Sequence, residues 1–188
     1  MSSFFEDLTP DEKELLASLP YRVGVWMSEC DDSGGDDSDE QEKRVLENII
    51  EGYAREVFGS ELTQYVMTET VMGKEHWQRW SEQDFSKIPG DCEMALEILS
   101  RYGEDNDVMA FAHHLVEIAE AVAMAFSEYQ NNNIFTKFTM SLQYSKQVRE
   151  SKKKGERAKS KHEFLSISPA ERAVLIEISD ALGLDDYI

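Results

Sequence analysis

The chain is short of almost everything that marks a reaction centre. It holds no Gly-x-Ser-x-Gly, no Walker-type phosphate loop and no Gly-x-Gly-x-x-Gly, so neither a nucleophile elbow nor a phosphate cradle is expected. Cysteine is limited to Cys30 and Cys92. Two are too few for a disulfide framework, and reduced thiols in a cytoplasmic protein are the expectation. Neither has a second Cys or a His at ligand spacing, as a sequence-local zinc site would need. No unbroken apolar run exceeds Ala121 to Phe126, against the roughly 20 residues of a membrane span. The first residues carry Glu6 and Asp7 rather than a basic, apolar leader, so secretion is not expected. Positive charge is scarce as well. The 19 Lys and Arg face 38 Asp and Glu, a net charge of −19 at pH 7. Such a surface repels phosphate backbones, which argues against nucleic acid as a partner.

What is present suits one globular domain over 1–188. Of the 188 residues 41% are hydrophobic, with nine Phe, seven Tyr and three Trp, enough for a real core. No stretch alternates with period 2, and the apolar spacing is helical. Thr9-Pro10-Asp11-Glu12 is a capping box with Pro at the first helical position, opening a run to Leu15, Leu16 and Leu19. Pro20 is expected to interrupt that run, and a second helix then covers Tyr21 to Glu29. From Glu40 to Phe58 one apolar stripe recurs at period 3.6: Val45, Leu46, Ile49, Ile50, Tyr53, Ala54, Val57 and Phe58. Ser60 caps a helix to Met72, ended by Gly73, and Lys74 to Trp80 forms a short one. Ser81 to Gly90 reads as loop on the turn chemistry of Pro89-Gly90. Asp91 is expected to cap a helix through Ala95, Ile98, Leu99 and Tyr102. A long helix runs from about Asp107 to Tyr129 with Val108, Phe111, Ala112, Leu115, Ala119, Val122 and Phe126 on its stripe. Ser168-Pro169-Ala170-Glu171 caps the last helix, which carries Val174, Leu175, Ile178 and Leu182. The fold class is all-α, a single domain of six to seven packed helices.

Two charged segments stand apart. Residues 29–42 hold eight carboxylates in fourteen positions and no base. Hard cations such as Ca²⁺ and Mg²⁺ take oxygen ligands. With Glu29 as position 1 of a twelve-residue loop, Asp31 falls at 3, Ser33 at 5, Gly34 at 6, Asp37 at 9 and Glu40 at 12. That is the EF-hand spacing with glycine at the sharp turn. The loop departs from it in opening on Glu and in placing Asp36 where an apolar residue is usual, and no second such loop pairs with it. The bland alternative is a solvated turn in which Asp37, Ser38 and Asp39 cap the next helix. Residues 131–166 form a basic insertion before the last helix. Between Lys146 and Lys161 it carries Lys146, Arg149, Lys152, Lys153, Lys154, Arg157, Lys159 and Lys161, opposed by Glu150 and Glu156 alone. With little to bury, it is expected to be a mobile loop or a solvated helix. Ile134, Phe135, Phe138 and Leu142 lie upstream. An apolar stripe beside such a run suits an anionic membrane surface, an acidic protein or a plain linker role.

The remaining candidates have bland readings. His113 and Glu117 are spaced for two metal ligands but read as a helix-surface pair. His114 reads as a partly buried packing residue. Trp77 and Trp80, with Arg79, can stack a ligand; lying three apart on one helix face, they suit core packing better.

In two places the layout resembles the TerB-like family, helical domains named for tellurite resistance. One is the helix leading through Ser28-Glu29-Cys30-Asp31-Asp32-Ser33-Gly34-Gly35-Asp36-Asp37-Ser38-Asp39 into Glu40-Gln41-Glu42. The other is Ile167-Ser168-Pro169-Ala170-Glu171-Arg172 followed by Ala181-Leu182-Gly183-Leu184, with Leu115 to Val122 fitting the helix before it. The resemblance implies an all-α fold, a divalent-metal role for acidic loop residues and a link to metal or chemical stress, with no enzymatic activity. The expectation is therefore a non-enzymatic cytoplasmic module, working with a protein partner and binding Ca²⁺ or Mg²⁺ through Asp31, Asp32, Asp36, Asp37 and Glu40. The alternative is an adaptor without a metal role. Its polybasic segment would dock an acidic protein or the inner face of a membrane.

Overall fold

The capping box at Thr9 forms as its residues dictate. The Thr9 side chain accepts from the Glu12 backbone N–H, and the Glu12 carboxylate accepts from the Thr9 N–H at 2.9 Å. That hydrogen bond, with the Arg101 guanidinium beside it, holds the Glu12 carboxyl below its ordinary range. Helix α1 then runs Pro10–Glu29. The computed structural model describes residues 4–30, 39–55, 60–127 and 167–184, giving the backbone alone at 39–42, 126 and 127. Among them are α2 (Asp39–Arg55), α3 (Glu61–Met72), α4 (Trp77–Ser81), α5 (Ile88–Ser100), α6 (Asp105–Ser127) and α7 (Pro169–Ala181), and no strand. The all-α expectation holds, with seven α-helices among the described residues. Val57, Phe58 and the basic insertion lie outside those residues.

Helices α1 and α6 are the axis. Helix α1 touches all six of the others, and α6 packs against α1, α2, α3, α5 and α7. The stripes read from the sequence face inward: Val45, Leu46, Ile49, Ile50 and Tyr53 of α2, and Val174, Leu175 and Ile178 of α7, are buried. Each such side chain contributes about 1.5–3 kcal/mol through burial. The second capping box repeats the first, with Glu171 accepting from the Ser168 N–H at 2.7 Å. Gly183 ends that last helix at φ +65°, a left-handed conformation that glycine adopts without steric cost.

Four local expectations are corrected. Pro20 does not divide α1; the helix is continuous through it. An interior proline costs about 3 kcal/mol, but Leu16, Leu19, Tyr21, Val23 and Met27 around it are buried, and their packing outweighs the local penalty. The 81–90 stretch is not all loop. Asp84 accepts from the Ser86 N–H at 3.0 Å, a 3₁₀ turn follows, and α5 begins at Ile88 with Pro89 in its first turn, where the missing N–H is harmless. Asp91 is consequently not a cap. It lies inside α5, 2.7 Å from Arg22. Finally, His113 and Glu117 are not a surface pair: Glu117 is 7% exposed and His113 half-buried. Helix α6 is covered on most sides, so Val116, Ile118, Ala121 and Ala123, off its predicted stripe, are buried too. Its Asp105–Ala125 window is long and apolar enough in composition to cross a membrane, yet 67% of it is covered by the rest of the protein. It serves here as a core helix. His114 is buried as expected, edge-on to the Tyr53 ring at 5.2 Å.

The Arg22–Asp91 pair ties α1 to α5 asymmetrically, since the arginine side chain is 5% exposed and the aspartate 22%. Removing the carboxylate strands a buried cation, whereas removing the cation leaves a carboxylate that water reaches. Asp91→Ala is expected to cost about 3 kcal/mol and Arg22→Met about 1 kcal/mol or less in urea unfolding; the reverse order would refute the assignment. Burial pushes the Cys92 thiol up to about 12, while Cys30 is only partly covered. A thiol reagent is expected to modify Cys30 in the native protein and Cys92 only after unfolding.

Candidate functional site

Of the acidic residues singled out, Asp31, Asp32, Asp36 and Asp37 lie outside the described residues. Glu40 belongs to α2 by its backbone. The basic set from Lys146 to Lys161 also lies outside them. Among the described residues, no three His, Cys, Asp or Glu side chains converge to hold a metal ion.

The described residues do form a cleft, of about 590 Å³, where the start of α1 faces the end of α3 and α4. The two tryptophans anchor its α4 wall. Trp77 is buried and stacks on Tyr21 at 4.6 Å and 17°, and its Nε1–H donates to the Thr70 carbonyl at 2.9 Å. This is the packing role expected of it. Trp80 is buried too, and its Nε1–H donates to Glu14 Oε1 at 2.6 Å, while Arg79 Nη2 reaches the same oxygen at 2.7 Å. Glu14 of α1 thereby fixes both the ring and the guanidinium of α4. Lys74, in the turn between α3 and α4, ties the same corner to α2, with Nζ 3.1 Å from Glu47 and 2.9 Å from Glu51 of that helix and 5.0 Å from the Trp77 ring centroid. Those two carboxylates hold the Lys74 ammonium above its ordinary range. Gly73 is required at the turn, because a Cβ there would come within 2.6 Å of Trp80 Cη2.

Met72, Tyr65 and Ala17 supply the accessible apolar surface of the cleft, over the buried Phe5 and Trp80. Met72 is 71% exposed, the most exposed of the large hydrophobic residues described. Glu6, Glu14, Glu69 and Glu75 line the same cleft, with Lys13 and His76 the basic side chains among them. The arrangement offers an apolar seat bordered by negative charge. Sequence reasoning found Trp77, Trp80 and the Gly73 stop but not Glu14, Glu69 or Met72. A large apolar residue just before a helix-ending glycine was the available signal.

The chain matches no protein-family model, no curated protein and no solved structure.

Glu14→Ala would leave the buried Trp80 Nε1–H without its acceptor and release Arg79 into solvent. It is expected to cost about 1–3 kcal/mol and to red-shift the tryptophan emission, whereas Glu69→Ala at the rim should change neither.

Proposed function

We propose that the chain is a non-enzymatic helical module of TerB-like layout, acting with a protein partner in a metal- or chemical-stress-related assembly. In this reading it binds a divalent cation, Ca²⁺ or Mg²⁺, through Asp31, Asp32, Asp36, Asp37 and Glu40. One observation carries the proposal. Helix α1 ends at Glu29 and α2 begins at Asp39, and the two helices pack against each other. The twelve-residue register that runs from Glu29 to Glu40 thus starts on the last residue of one helix and finishes in the first turn of the next, as a helix–loop–helix cation site does. The short connection between them carries four carboxylates, and crowded like charges favour a cation as counter-charge. The stress-related role rests on the resemblance alone.

A thermal-shift series with Ca²⁺, Mg²⁺, Mn²⁺ and Zn²⁺ tests the cation. Cation at ten times its dissociation constant is expected to stabilise the wild type by about 1.4 kcal/mol. The paired substitution Asp31→Asn with Asp37→Asn is expected to abolish that response. A wild type indifferent to millimolar cation would rule the proposal out, and an equal response in the variant would remove these residues from it.

A further inference from the structure

The Phe5–Trp80 cleft is formed wholly by described residues and owes nothing to the cation loop. Charge on the chain is segregated: residues 128–166 hold nine of the 19 bases and four of the 38 acids. The rest of the chain therefore carries ten bases against 34 acids. Several of those bases are already engaged, namely Arg22 with Asp91, Arg79 with Glu14, Arg101 with Glu12, and Lys74 with Glu47 and Glu51. At the cleft four carboxylates, Glu6, Glu14, Glu69 and Glu75, stand against Lys13 and His76; Glu14 is taken by Arg79, and among the described residues Glu6 and Glu69 form no ion pair and Glu75 pairs with the neighbouring His76 alone, at 3.6 Å. Between these carboxylates lies apolar surface, with Met72 projecting into solvent beside it. A methionine is flexible and polarizable, and adapts to a range of aliphatic and aromatic anchors.

We propose that this cleft is a docking groove for a cationic peptide segment of a protein partner. One apolar side chain of the segment sits against Met72 and Tyr65, and its flanking lysines or arginines face Glu6, Glu69 and Glu75. Charge complementarity selects the occupant. An acidic or neutral segment would be opposed by the carboxylates and by the surplus of 24 negative charges outside 128–166. The apolar seat distinguishes a peptide from a simple counter-ion, which would gain nothing from Met72.

The test uses the full-length chain in chelator, so that the cation loop plays no part. The probe is a short amphipathic helix of leucine and lysine, and the counter-probe has glutamate in place of each lysine. Methyl NMR of the methionines is expected to show the lysine probe shifting Met72 but neither Met94 nor Met109, which are exposed elsewhere. Glu69→Lys with Glu75→Lys is expected to weaken binding about tenfold or more. Reversing the same charge at the exposed Glu93 and Glu97 of α5 should weaken it less than about twofold. Met72→Ala, at a site too exposed to unfold the protein, should also weaken it. Asp31→Asn with Asp37→Asn should leave it unchanged, which separates this proposal from the cation reading. Absence of binding, equal loss from both charge reversals, equal shifts at Met94 or Met109, unaltered affinity in Met72→Ala, or equal binding of the glutamate probe would each overturn the proposal.

Discussion

The packing of α1 against α6 is the constraint on which the rest of the structure depends. Among the described helices, α1 touches every other one and α6 touches five, so the outer helices are positioned by what these two present. Leu16, Leu19, Val23, Phe111, Leu115, Ile118 and Val122 have essentially no exposed surface. An interior packed to crystal-like density transmits any change of volume to its neighbours. The cleft inherits this rigidity. One wall is the first half of α1, and the other is joined to it through Glu14 and through the stacking of Trp77 on Tyr21.

Much of the fold was legible because helix ends are written in local chemistry. Thr9 and Ser168, each followed by Pro and by Glu three residues on, form the boxes their spacing implies. Ser60 and Gly73 stand where a cap and a stop were expected. The failures share a cause, which is that local rules cannot see tertiary burial. Pro20 reads as a break, but the surrounding core holds the helix through it. Pro89-Gly90 reads as a turn, but at the first turn of a helix a proline has no hydrogen bond to lose. The spacing in α6 predicts one apolar stripe, whereas Glu117 and Glu120, polar and off that stripe, are buried as well.

The candidate sites divide along the same line. An acidic loop and a polybasic run announce themselves in composition, since their residues are neighbours in the chain. The cleft does not. Phe5, Glu14, Tyr65, Met72 and Trp80 come from opposite ends of a long stretch of sequence and meet only after α1, α3 and α4 have packed. Charge segregation is visible in the sequence once the chain is divided at the insertion, but its consequence for the cleft depends on where Glu6, Glu69 and Glu75 come to lie.

Pro20 has a consequence for how the molecule is made. An isolated helix needs an unbroken ladder of backbone hydrogen bonds to offset its nucleation cost, and the central helix has a rung missing at its midpoint. Helix α1 is thus less able to form by itself than its 20 residues and its capping box would suggest. The outer helices in turn bury their apolar faces largely against that axis. The packing of those faces is what offsets the missing rung, so the stability of α1 is tied to the helices around it.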